Sequence, residues 1–268
     1  MKKGLLLAFA CLTIACQAQN EYQLQWSDEF DGTELNRDNW NVEDNARGGG
    51  NAELQYYTPR NISIEKHPVT GESCLVLTAK KEDYGNRPCT SARLNTQDKV
   101  TVHYGKVEAR IAFPYTADGL WPAFWMLGNN LAKNLGNNDD VDKTKAALAK
   151  QGRVVWPKCG EIDICEMGHH KGIENGTQDR YFNGAMHIGS AWNTVWCDAQ
   201  DITYPYSVED TFHIVTMIWT PTSIDMYMDR DANPGVKPYF STKLEHNDDP
   251  YYNRSLVFGK PNFIIANL

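Results

Sequence analysis

Basic residues are the minority among the charges of this 268-residue sequence. Lys and Arg number 26 against 34 Asp and Glu, which gives a formal net charge of −8. Nucleic-acid-binding proteins need clustered positive charge opposite the phosphates. The charge balance therefore argues against a nucleic-acid partner and favours a neutral one. Aromatic residues are plentiful instead, with 8 Trp and 13 Tyr, and such rings stack on the apolar faces of sugars as well as filling cores.

Long apolar runs are also missing, apart from a short one near the start. Two lysines precede an apolar stretch there, as in an export signal, and the stretch is too short to span a bilayer. We predict a signal peptide over residues 1–18, with cleavage after Ala18 or lipidation of Cys16 as alternatives. Both place the mature protein outside the cytoplasm, in the periplasm or at the cell surface, and only a lipid on Cys16 would hold it at a membrane.

Cysteines are few and odd in number once the signal is set aside. Five remain if Cys16 is removed or lipidated: Cys74, Cys89, Cys159, Cys165 and Cys197. An odd set cannot pair fully. The spacing of Cys159 and Cys165 matches no common zinc pattern, so the sequence predicts no metal site at these cysteines.

Helical patterns are rare as well. One segment, residues 140–151, has acids at its start, Ala and Leu inside and a Gly after it, which predicts a helical insertion near the cleft. The rest alternates between apolar and polar residues in short runs separated by turn residues. This predicts a single all-β sandwich or jelly roll over residues 19–268. Its expected strands include residues 24–30, 74–80, 107–111, 182–188, 212–219, 223–228 and 262–267.

Three carboxylates interrupt one apolar run, at Glu161, Asp163 and Glu166. In a strand, Glu161 and Asp163 point to one face. Glu166 joins that face only if an extra residue follows Asp163, so we predict a β-bulge. Retaining glycosidases place two carboxyls about 5–5.5 Å apart. An ordinary acidic strand and a calcium loop are the alternatives that the pattern leaves open.

The acidic strand resembles the bulged signature of glycoside hydrolase family 16. Other segments resemble laminarinase-type members of that family in the same order, namely residues 51–58, 91–94, 104–110 and 119–127. The resemblance implies a concanavalin-like β-jelly-roll of two antiparallel sheets with a concave cleft. It also implies an endo-acting, retaining enzyme. We expect a β-1,3- or mixed-linkage β-glucan as substrate, with mucin-type O-glycan or algal galactan (endo-β-galactosidase) and a catalytically silent sugar-binding module as alternatives.

The same resemblance assigns roles to residues. It makes Glu161 the nucleophile, Asp163 an assisting acid and Glu166 the general acid/base. It implies substrate binding by Trp121, Trp125, Arg93, Glu53 and His187. Family members usually follow that histidine with Trp, and we expect Ile188 to cost the cleft a stacking surface.

The resemblance implies no catalytic cofactor. It leaves a structural calcium near Asp28 or Glu29 as a secondary expectation. It also implies a further loop and a closing strand after residues 262–267. We therefore expect a chain truncated at this end, with a last strand that lacks a partner. We expect a monomer.

Overall fold

A computed structural model of the protein describes residues 22–132, 149–209 and 211–268. Strands dominate these ranges. They are β1 (Asn41–Val42), β2 (Gln55–Tyr57), β3 (Ile62–Lys66), β4 (Ser73–Leu77), β5 (Cys89–Ser91), β6 (Arg93–Asn95), β7 (Gly105–Ala112), β8 (Ala123–Gly128), β9 (Glu161–Glu166), β10 (Tyr181–Gly189), β11 (Val195–Thr203), β12 (Phe212–Trp219), β13 (Ser223–Met228), β14 (Phe240–Lys243) and β15 (Asn262–Asn267). Short helices follow β9, at α1 (His170–Glu174), and precede β15, at α2 (Arg254–Val257).

Two antiparallel sheets form the sandwich. The larger has the order β1-β6-β15-β8-β9-β10-β11, and the smaller has the order β14-β13-β12-β7. Their facing sides enclose one apolar core, to which β9 contributes Ile162 and Ile164 and β12 contributes Val215 and Met217. The all-β jelly-roll prediction is confirmed. We call the side of the larger sheet that points away from this core the cleft face.

Strand alternation explains most of the agreement with the predicted elements. The predicted bounds of β12, β13 and β15 coincide with the observed ones. The predicted strand at residues 24–30 is wrong, because this segment has no partner strand among the described residues. Its Asp28 carboxylate accepts the Trp40 indole N–H at 2.9 Å, and Phe30 turns the chain with a φ of 54°.

The predicted helical insertion lies mostly outside the described residues. Its last turn, at residues 149–150, is helical and ends at Gly152, whose φ of 69° suits glycine. Beyond it, Val154 and Trp156 pack against Leu127 and other apolar residues. The segment that follows the insertion therefore lies over the cleft face.

The final strand is fully paired. β15 lies inside the larger sheet, with β6 on one side and β8 on the other. The expectation that this strand lacks a partner is therefore wrong. Its continuous apolar run is typical of a strand that is covered on both faces. The predicted signal peptide lies outside the described residues. Among those described, no helix is long and apolar enough to cross a membrane.

Candidate active site

The register of the larger sheet arranges the cleft-face side chains in three rows that cross the strands. The upper row is Phe263, Leu127, Glu161, His187 and Cys197; the middle row is Ile265, Trp125, Asp163, Ala185 and Ala199; the lower row is Arg93, Asn267, Ala123, Glu166, Asn183 and Asp201. The three acids of β9 thus occupy one position in each row, at the centre of the sheet.

A β-bulge brings the third acid onto this face. The residues that pair with Asp163 and Glu166 on β10 are Ala185 and Asn183, so three steps on β9 oppose two on β10. Ile164 is the unmatched residue in the pairing with β8, and it is fully buried. The predicted bulge is confirmed.

Glu166 is held by two neutral donors. The Trp121 indole N–H donates to its Oε1 at 2.9 Å, and the Asn183 amide donates to its Oε2 at 3.2 Å. Burial raises the pKa of Glu166, and these two hydrogen bonds and the His187 charge only partly offset it. Because burial is the cause, the carboxyl retains its proton longer than a free glutamate.

Glu161 has one neutral and one ionisable neighbour. The Trp156 indole N–H donates to its Oε2 at 2.8 Å, and His187 Nε2 lies 3.8 Å from its Oε1. Burial raises the pKa of Glu161 and the Glu166 charge adds to this, whereas His187 and the indole oppose it. The positive charge that His187 can carry therefore favours the ionised form of Glu161.

Asp163 and His187 complete the centre. Asp163 Oδ2 lies 3.1 Å from His187 Nε2. Burial, followed by the charges of Glu161 and Glu166, raises the pKa of Asp163 well above its ordinary value. Burial lowers the pKa of His187, but contact with Cys197 and the charge of Glu161 outweigh it, so the net shift is upward. Asp163 is thus the carboxyl that most resists ionisation.

Two relatives of the chain are glucanases by name. The chain is 31% identical over 254 residues to a beta-glucanase of Rhodothermus marinus, covering 92% of this chain and 75% of the relative. It belongs to glycoside hydrolase family 16. The glucan endo-1,3-beta-glucosidase of Cryptopygus antarcticus is 31% identical over 98% of this chain and 84% of its own length.

A solved structure supports the same family 16 assignment. The glycoside hydrolase family 16 endo-glucanase from Bacteroides ovatus superposes with a TM-score of 0.69 at 28% identity, covering 90% of this chain and 84% of that one. No protein-family model matches the chain. The two relatives and the solved structure show that the chain is a glycoside hydrolase, as the acidic strand predicts.

The predicted sugar-binding residues fall at different distances from the acids of this family 16 site. Trp121 touches Glu166 and is 42% exposed, which excludes a core role. Trp125 is half-buried and donates to Asn267 Oδ1 at 2.7 Å. The Arg93 guanidinium lies 4.8 Å from the Trp125 ring and 3.0 Å from Glu43. These side chains form the part of the cleft on the β6 side of the acids.

Glu53 lies apart from the three acids. Its carboxylate accepts the Tyr57 hydroxyl at 2.7 Å and the Gln55 amide at 2.6 Å. Tyr57 is near enough to Arg93 for that charge to lower the Tyr57 pKa, although burial raises it overall. Glu53 is therefore linked through Tyr57 to the Arg93 end of the cleft, and these hydrogen bonds do not connect it to the three acids.

Ile188 corrects one expectation about specificity. Its side chain points into the core and is 1% exposed, because it alternates with His187 on β10. An aromatic residue at this position would not line the cleft. The expected loss of a stacking surface is therefore wrong.

Two residues that contact the glutamates, Trp156 and Asn183, are not among the site residues predicted from the sequence. Asn183 precedes His187 by an even number of positions on β10, so strand periodicity already places the two side chains on one face. Trp156 lies in a loop, and no periodic signal identifies it.

Metal binding stays a matter of prediction at both sites considered. Ligand atoms of Glu161, Asp163 and His187 lie within 4.8 Å of one another, which is also the spacing of a hydrogen-bonded acid cluster. At the calcium position predicted from the family, both Asp28 oxygens already accept N–H groups, from Trp40 and Phe30. Each oxygen keeps a further lone pair, so a structural calcium near Asp28 or Glu29 stays a prediction.

Proposed function

We propose that this family 16 enzyme hydrolyses internal β-linkages of a β-1,3- or mixed-linkage β-glucan, with retention of the anomeric configuration. One observation carries the proposal: the bulge places Glu161 and Glu166 on one face of β9, on either side of Asp163. Two partly buried carboxyls on one face can serve as nucleophile and acid. The names of the relatives, beta-glucanase and glucan endo-1,3-beta-glucosidase, support glucan as the substrate class.

In this mechanism, Glu166 gives its proton to the departing glycosidic oxygen while Glu161 attacks the anomeric carbon. The bond to the leaving sugar breaks and a covalent glycosyl-enzyme forms. Water then attacks that carbon, gives its proton to Glu166 and releases Glu161. Asp163 lies between them, and the upward shift of its pKa reduces the negative charge that it places beside Glu161.

The test combines substrate range with stereochemistry. The enzyme is incubated with laminarin, mixed-linkage β-glucan, β-galactan and mucin O-glycan, and reducing ends and product lengths are followed. We expect early release of oligosaccharides of several lengths from the glucans. Proton NMR should show the β-anomer first. Release of a single small sugar contradicts endo action, α-anomer appearing first contradicts retention, and release from the galactan or O-glycan alone contradicts the glucan assignment.

We also propose that the enzyme is exported and acts as a monomer. The charged start and short apolar stretch before residue 19 support export. The mass of the mature protein, recovered from the native host, distinguishes cleavage after Ala18 from lipidation of Cys16. Light scattering of the purified enzyme measures its oligomeric state, and a dimer mass would contradict the monomer.

A further inference from the structure

The cleft face carries a thiol next to the histidine of the reaction centre. Cys197 follows Glu161 and His187 in the upper row, and it is an exposed, free cysteine. Its Sγ lies 3.9 Å from His187 Nε2. The hydrolytic mechanism uses no thiol, so hydrolysis does not account for this contact.

The same histidine nitrogen also lies near two carboxylates. His187 Nε2 is 3.1 Å from Asp163 Oδ2 and 3.8 Å from Glu161 Oε1. Trp156 donates to the other Glu161 oxygen, Oε2, so this hydrogen bond does not occupy Oε1. Donor atoms that bind one Zn²⁺ tetrahedrally at about 2.0–2.3 Å lie about 3.3–3.6 Å from one another. The three distances from Nε2 are close to this separation, so small side-chain movements bring the donors together.

The chemistry of these donors selects the kind of metal ion. Mg²⁺ and Ca²⁺ take oxygen ligands, so carboxylates alone would not distinguish them from Zn²⁺. An imidazole nitrogen and a thiolate sulfur favour Zn²⁺, and His187 and Cys197 supply both. The side chains of Glu161 and His187 are partly exposed, and Cys197 is exposed. An ion in solution can therefore reach the donors from the open cleft.

We propose that the cleft contains an inhibitory Zn²⁺ site whose ligands are Glu161, Asp163, His187 and Cys197. Rotation of the Cys197 side chain brings its sulfur to the ion, and the thiol proton passes to solvent as the metal–sulfur bond forms. The inhibition rests on the proposed function, because a Glu161 oxygen bound to the ion cannot attack the anomeric carbon. Zn²⁺ and the glucan therefore compete for the cleft.

One substitution at two cysteines provides the test and its control. Cys197→Ser removes the sulfur from the cleft and keeps a side chain of similar size. Cys74→Ser makes the same change at a half-buried free cysteine on β4, which belongs to a separate two-stranded sheet. The parent and both variants are first treated with EDTA and dialysed, and their melting temperatures are compared. If Cys197→Ser melts below the parent, Cys197→Ala takes its place.

Titration with Co²⁺ measures metal binding without any substrate. Co²⁺ replaces Zn²⁺ in sites of this kind, and a cobalt–thiolate bond gives a charge-transfer band in the near ultraviolet. The band should appear in the parent and in Cys74→Ser, be absent from Cys197→Ser, and disappear when Zn²⁺ displaces the cobalt. A parent without the band, or a band that persists in Cys197→Ser, overturns the site.

Hydrolysis of β-glucan at rising Zn²⁺ concentration measures inhibition, with each protein compared with its own metal-free rate. Zn²⁺ should raise the KM of the parent and leave kcat nearly unchanged, and Mg²⁺ at the same concentrations should do neither. Cys197→Ser should need about tenfold or more Zn²⁺ for the same inhibition, since even the outer partners of metal ligands contribute about 10–100-fold to affinity. Cys74→Ser should match the parent.

The outcomes separate this inference from the proposed function. A parent that cleaves no β-glucan overturns the proposed function, and the cobalt band still decides whether the metal site exists. A parent that shows the band and cleaves β-glucan equally well with and without Zn²⁺ overturns the inhibition. Equal Zn²⁺ inhibition of the parent and Cys197→Ser overturns the assignment of Cys197 as a ligand.

Discussion

The surroundings of Glu161 and Glu166 differ in one respect, although each glutamate accepts an indole N–H. Glu161 receives Trp156 and lies near His187, whose pKa is raised. Glu166 receives Trp121 and the neutral amide of Asn183. Burial raises both pKa values. The charge of His187 opposes this rise at both glutamates, but it is the leading opposing cause at Glu161 and comes after the two hydrogen bonds at Glu166. The two side chains thus differ in how strongly a nearby cation favours their ionised forms.

Burial is the main cause of the raised pKa of Glu166. Repulsion from the neighbouring carboxylates falls chiefly on Asp163, whose pKa burial already raises. A central carboxyl with a raised pKa places less negative charge beside the two outer ones.

The largest effect should come from removing each glutamate in turn. Glu161→Ala should lower kcat about 10⁴-fold or more, and azide should restore a product of α configuration by entering the vacated space. Glu166→Ala should cost about 10²–10⁴-fold on natural substrate and spare substrates with good leaving groups. With azide it should give a β product. The product anomers are read by NMR, and exchanged anomers would reverse the two roles.

Removing each indole N–H should have a smaller and directional effect. Trp156→Phe and Trp121→Phe each remove one hydrogen bond to a carboxylate, worth about 1.5–3 kcal/mol. Both donors favour the charged carboxylate, so each loss raises the pKa of its partner. For Trp156→Phe the acid limb of the pH–rate profile should move to higher pH. For Trp121→Phe the alkaline limb should move to higher pH. Movement of the same limb in both variants would contradict the assignment of the acid limb to Glu161 and of the alkaline limb to Glu166.

Truncating Trp125 tests the stacking of a sugar on this ring rather than the protonation of a carboxyl. Trp125→Ala should weaken oligosaccharide binding by about 1–3 kcal/mol, on the scale measured for aromatic stacking of bases. Calorimetric titration measures the binding, and the melting temperature serves as the control. A loss of about 3–5 kcal/mol in the free energy of unfolding, with unchanged binding, would assign Trp125 to packing instead.

The smallest effect should separate Asn183 from His187. Asn183→Ala removes a donor that favours ionised Glu166, so the alkaline limb should shift to higher pH while the acid limb stays. His187→Ala removes a charge that favours ionised Glu161 and, less strongly, ionised Glu166, so both limbs should shift to higher pH and the acid limb should shift further. Full pH–rate profiles of kcat/KM measure both variants. A shift of the acid limb in Asn183→Ala, or a larger alkaline than acid shift in His187→Ala, would contradict these assignments.

Much of this site could be predicted from local sequence. The period of two and the misplaced Glu166 identify β9, its bulge and the three acids, because these features depend on neighbours in the chain. Trp156 could not be identified, since its contact with Glu161 depends on the path of a loop. Ile188 was misjudged because the resemblance gives residue types and not side-chain directions.

The fold shows the same limit. β12, β13 and β15 have strong alternation or continuous apolar runs, and their bounds could be predicted. Residues 24–30 alternate too, but their backbone pairs with no strand among the described residues. The Asp28 side chain holds this segment by accepting the Trp40 indole N–H. Alternation predicts an extended chain, and only a partner makes it a strand.

The position of β15 has a consequence for biosynthesis. It enters between β6 and β8, whose residues leave the ribosome well before it. Until residues 262–267 arrive, β6 and β8 expose unpaired edges that invite association with other chains. Such distant pairing slows folding. A nascent chain that lacks residues 262–267 therefore cannot close the larger sheet.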